Sequence, residues 1–168
     1  MSLPSMTAPP VPPGERWNPF EALAVDHSGV RCSFDRELPE QVWGLSGPGR
    51  IWVCKRLGGV ARECSLAHEL IHHERGVFGL RDPQERAAEE KLVDTLTAQR
   101  MIPWRSLVLT VFSDPHGDLA RWASQLRVDR PTLNMRLLTL TEVERITLEG
   151  VRGCALPQLS LAGFGGGR

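Results

Sequence analysis

An α+β domain is what this sequence predicts: a small antiparallel sheet packed on a helix with two closely spaced histidines, followed by further helices. Three observations predict it. Apolar and polar residues alternate with a period near two between about Gly29 and Leu57, the mark of half-buried strands. From Val60 to about Arg75 the period becomes helical, with Val60, Cys64, Ala67 and Ile71 recurring on one side and no proline between them. Downstream, Asp82-Pro83-Gln84-Glu85 and the Thr141/Glu144 pair are strong helix starts.

In chain order, residues 1–15 hold five prolines among small residues and predict a flexible tail, since such a segment buries too little apolar surface to offset the entropy of ordering. Trp17 to Val25 reads as a short amphipathic helix with Trp17, Phe20, Leu23 and Ala24 on its apolar side. Val30, Cys32 and Phe34 alternate with polar neighbours, and Val42–Ser46 and Arg50–Cys54 form a hairpin about Gly47-Pro48-Gly49. The histidine helix ends at Gly76, where a left-handed cap is expected. A second long helix runs from Pro83 to about Met101 and is limited by Pro103. Trp104 to Phe112 is an apolar packing segment, helical or extended, and 113–117 is loop chemistry. Asp118 caps a helix bearing Leu119, Trp122, Ala123 and Leu126; after a break at 128–130 another helix spans Pro131–Leu140, and a last one runs from the Thr141 box to about Gly150. Residues 153–168 read as a second flexible tail.

Composition narrows the function classes. A chain of 168 residues suits one core of ordinary size, and 41% hydrophobic with 24% charged residues is ordinary for a globular domain. The formal net charge is zero, so no basic stripe announces a nucleic-acid partner. No apolar run approaches the roughly 20 residues of a spanning helix. The N-terminus lacks the basic-then-apolar order of a secretion signal, so the expectation is a soluble cytoplasmic protein with no membrane partner. Cys32, Cys54, Cys64 and Cys154 form no CxxC pair and read as free thiols.

The chemistry concentrates in His68-Glu69-Leu70-Ile71-His72. Histidines four apart on a helix project from one face about a turn apart and can grip one ion. Glu69 sits about 100° round the helix, a poor position for a ligand but within reach of a water activated by the ion, so it is the candidate general base. Two histidines need another ligand, and a carboxylate on a neighbouring helix is the usual supplier in zinc hydrolases. Glu90 and Asp94 share a face of the next helix, so Glu90 can bind the ion while Asp94 reaches a histidine N–H; Glu89 is the competing ligand. His73 falls off the ligand face. The chain has no tyrosine, so His116 or an arginine is left to stabilise a tetrahedral oxyanion. An edge strand, with Arg50–Cys54 the candidate, could pair with an extended peptide.

Leu66-Ala67-His68-Glu69-Leu70-Ile71-His72, then Glu90-x-x-Val93-Asp94, then Met101-Ile102-Pro103 resembles the ImmA/IrrE family of bacterial and phage metallopeptidases. The resemblance covers about Trp17 to Pro103. It implies a minimal zincin-like metallopeptidase domain at 16–112, with zinc held by His68, His72 and Glu90 and with Glu69 as base. It also implies a protein substrate, a DNA-binding repressor of mobile elements or stress responses. Val93, Leu96 and Arg100 stand where the family pattern has alanine, phenylalanine and leucine.

Two other classes compete. Residues 113–152 form a helical extension packed on the same domain, and 119–140 has the outline of a helix-turn-helix, which would make the protein a DNA-binding regulator. Asp118 and Asp129 offset Arg127, Arg130 and Arg136 there, against direct nucleic-acid binding. An interaction module with a catalytically idle metal site is the third class.

Overall fold

Side-chain caps set most helix starts. The computed structural model describes residues 16–153; the tails expected at 1–15 and beyond Gly153 lie outside the described residues. Asn18 accepts from the Phe20 and Glu21 amides to open α1 (Pro19–Val25), and Asp82 does the same for Gln84 and Glu85 at α3 (Pro83–Met101). Between them, α2 (Gly59–Arg75) has no side-chain cap but ends at Gly76, whose φ of 66° fits glycine and whose amide reaches the His72 and His73 carbonyls. The segment from Trp104, expected as helix or strand, is helical as α4 (Trp104–Ser113). Asp118 opens α5 (Leu119–Leu126), Asp129 opens α6 (Arg130–Leu138), and the Thr141/Glu144 capping box opens α7 (Glu142–Arg152).

The sheet corrects one expectation. Its strands are β1 (Arg31–Ser33), β2 (Gly44–Gly47) and β3 (Arg50–Val53), in the order β1-β3-β2. β2 and β3 form the expected antiparallel hairpin, with Gly47 opposite Arg50 and Gly44 opposite Val53, but β1 pairs with β3 in parallel. The sheet is mixed, because residues 34–43 are long enough to carry the chain past the place that β3 later fills. β3 is therefore central and paired on both sides. It offers no edge to a peptide, so that role cannot fall to Arg50–Cys54; β2 is at the rim.

Two buried clusters meet on α2. Leu66 and Leu70 face the sheet and pack with Ile51 and Val53 of β3 and Ala22 of α1. Each of the Leu, Ile and Val side chains contributes roughly 1.5–3 kcal/mol on burial. Cys64 and Ala67 face the other way, into a cluster with Met101, Leu107, Trp122, Leu133 and Leu148 from α3 to α7. The remaining face of α2, carrying His68 and His72, is turned toward α3, against which α2 packs. α6 packs on α3 with Leu133, Met135, Arg136 and Leu137 buried. The second helix of the helix-turn-helix outline thus spends its apolar face and Arg136 on the protein interior. Among the described residues no helix is long and apolar enough to cross a membrane.

Candidate metal centre

Both imidazoles of α2 and one carboxylate of α3 converge. His68 Nε2 and His72 Nε2 are 3.1 Å apart, His68 Nε2 is 3.3 Å from Glu90 Oε2, and His72 Nε2 is 3.4 Å from Glu90 Oε1. This is a His-His-Glu group that could hold a metal ion. A tetrahedral site with ligand bonds of about 2.0–2.1 Å has edges of about 3.3 Å, close to the separation of the two imidazole nitrogens and to the distance from each of them to one Glu90 oxygen. Both histidines are buried, whereas the Glu90 side chain remains 43% exposed, which leaves the group open on one side.

The surroundings favour positive charge at this point. His68 Nδ1 lies 3.1 Å from Asp94 Oδ1, which fixes the ring and directs the Nε2 lone pair at the group. Burial pushes the His68 pKa down, but Asp94, Glu90 and Glu69 outweigh it and lift it to about 9. Burial pushes the Glu90 carboxyl up, and the two imidazoles outweigh it, holding it at about 2. The carboxylates around His68 favour positive charge there, and an ion that binds must displace the His68 proton.

Glu69 follows His68 in the chain and lies against Gly44 of β2, on the same cleft as His72 and Glu90. It is 3% exposed. Burial raises its pKa, against the pull of the two histidines and a hydrogen bond with the Ser46 side chain. A carboxyl shifted upward in a closed position is suited to taking a proton and returning it. Gly44 makes the room: a Cβ there would lie 2.6 Å from Glu69 Cγ. Gly44, Leu45 and Ser46 form one wall of an open cleft of about 550 Å³ that passes Glu69, His72 and Glu90. Its far wall is the loop from Val77 to Arg81.

The other expected residues divide. Glu89, the competing ligand, is clasped by Arg75 through two hydrogen bonds of 2.6 and 2.7 Å and does not join the group. His73 turns away, its ring 5.8 Å from His27 and 6.4 Å from Phe78. His116 lies in another part of the fold. The loop after α4 is drawn onto α5 by the Trp122 Nε1 bond to the Asp114 carbonyl, and His116 lines a separate hollow with Arg130 and Arg152. The residues that line the cleft near Glu69 do not include it. Gly44, Ser46 and the loop residues were missed from sequence. A lone glycine in a predicted strand signals close approach by another group, and that signal could have found Gly44.

Comparison of the chain with protein-family models, with curated proteins and with solved structures gave no significant match.

Proposed function

We propose that this protein is a zinc-dependent metallo-endopeptidase. The observation that carries the reading is the His68-His72-Glu90 group, its two imidazole nitrogens 3.1 Å apart and each within 3.4 Å of a Glu90 oxygen, beside a cleft that the buried Glu69 also lines. Two imidazoles and one carboxylate with an open position make the donor set of catalytic zinc. When bound, zinc supplies Lewis acidity that polarises a peptide carbonyl and makes water a better nucleophile. Glu69 takes the proton of the attacking water on its carboxylate and passes it to the leaving nitrogen. Asp94 holds the His68 ring in its ligating orientation. β2 lies at the rim of the sheet, and its outer edge, unpaired with any described strand, can hydrogen-bond an extended substrate backbone along the cleft.

The resemblance of α2 and α3 to the ImmA/IrrE peptidases supports a DNA-binding repressor as the substrate, which would place the protein in the cytoplasm. The test is to incubate the zinc-loaded protein, and its Glu69→Gln variant, with a panel of helix-turn-helix repressors and to analyse the products by mass spectrometry. The expected result is cleavage by the parent alone, with equal zinc in both. Equal cleavage by Glu69→Gln would remove Glu69 from its role. Zinc without cleavage by either would favour the idle interaction module, and protein that takes up no zinc would end the reading.

A further inference from the structure

The wall of the cleft opposite β2 is built of two kinds of residue. Val77, Phe78 and Leu80 are apolar and half-buried, and Arg81 and Arg86 are exposed cations. The carboxylates that share the cleft are already engaged. Glu89 is clasped by Arg75, Glu90 belongs to the histidine group, and Glu69 is closed in beneath Gly44 with Ser46. Asp82, next to Arg81, is occupied in capping α3, accepting from two amides at 2.7 and 2.9 Å. Neither Arg81 nor Arg86 is ion-paired with any of the described residues. The cleft therefore presents two uncommitted guanidiniums beside an apolar shelf.

Helix geometry fixes how far they stand from the reaction. Arg86 and Glu90 lie four positions apart on α3, one above the other on a face, with about 6 Å between them along the axis. An extended peptide covers that distance in about two residues. We propose that the cleft selects peptides with an acidic side chain within about two residues of the scissile bond, next to an apolar side chain seated on Phe78 and Leu80. Arg81 and Arg86 are then the specificity-determining residues, pairing with the substrate carboxylate through the fork of a guanidinium. This rests on the peptidase reading for its substrate, while the binding preference can be measured without any turnover.

The experiment uses the full chain carrying Glu69→Gln, loaded with zinc, and two pools of fluorescein-labelled random peptides. One pool has glutamate and the other lysine fixed two residues from a fixed leucine. Fluorescence anisotropy is expected to show the glutamate pool binding about tenfold more tightly, a ratio that shrinks with added salt. Adding Arg81→Glu and Arg86→Glu is expected to reverse the preference, and Arg81→Gln with Arg86→Gln to abolish it. Both pairs are at the surface, and circular dichroism checks that they fold. Equal binding of the two pools, no binding of either, or a preference that survives charge reversal overturns the proposal. Protein with Glu69 intact, given the same pools, separates the two readings. An acidic preference in binding with no cleavage upholds the cleft and removes the peptidase; cleavage with no acidic preference does the reverse.

Discussion

Asp94 Oδ1 stands 3.1 Å from His68 Nδ1, on the ring nitrogen that does not face His72 and Glu90. The carboxylate holds one imidazole in the tautomer and orientation that the group requires. Removing it frees the ring to rotate. Asp94→Ala is expected to weaken zinc binding by about 10- to 100-fold, and Asp94→Asn, which keeps an acceptor oxygen, by less. Competition with a chromogenic chelator measures both, and unchanged affinity in Asp94→Ala would strip Asp94 of this part.

Gly44→Ala tests the fit between β2 and α2. The added methyl would press on Glu69 Cγ from 2.6 Å, so the glutamate or the strand must move. Overpacking of this kind costs about 1–3 kcal/mol. Zinc stoichiometry is expected to stay at the parent level while peptide cleavage falls at least tenfold, because the ligands are untouched and the proton acceptor is displaced. Thermal melts and turnover of the same preparation read both effects.

The ion-free protein is expected to lose stability on the alkaline side. The pKa of His68 rises from 6.5 to about 9 in the fold, so its contribution is complete below 6.5 and disappears as pH climbs through 9. Glu90 moves the other way, from 4.5 to about 2, so its contribution is present above 4.5 and is lost as pH falls through 2. Chelator-treated protein should therefore melt lower at pH 9.5 than at pH 6, beyond any drop in the zinc-loaded form, because the ion takes the place of the His68 proton. Identical pH profiles with and without chelator would contradict this.

Arg136 is buried at the centre of the C-terminal helices, where Nη2 meets Glu144 Oε1 at 2.6 Å and Nε donates to the Ile102 carbonyl at 3.2 Å. Arg136→Ala leaves that carbonyl unsatisfied and the Glu144 carboxylate unpaired. A loss of about 2–3 kcal/mol is expected, at the lower end for a broken buried pair because Glu144 keeps some contact with water. Urea unfolding measures it, and a loss below about 0.5 kcal/mol would show that α6 does not depend on this anchor.

Much of this was legible because it is local. Asp82, Asp118 and Thr141 announce helix starts within four residues of themselves, and the spacing of His68 and His72 is a property of one helix. The shared face of Glu90 and Asp94 is likewise local to one helix, although it left Glu89 in competition. What stayed hidden depends on partners distant in sequence. The parallel pairing of Arg31 with Arg50 depends on the path of residues 34–43, which no period records. The placement of His116 in a hollow separate from the cleft beside Glu69 depends on how its loop packs on α5, held there by the Trp122 hydrogen bond to the Asp114 carbonyl. Whether Glu89 or Glu90 faced the histidines turned on Arg75, a residue on another helix.

The order β1-β3-β2 also bears on how the chain emerges from the ribosome. Neither of the first two strands touches the other, so both wait, without a partner, until Arg50–Val53 has been synthesised between them. No part of the sheet can then form before β3 is made, and a chain truncated ahead of Arg50 would leave both outer strands unpaired.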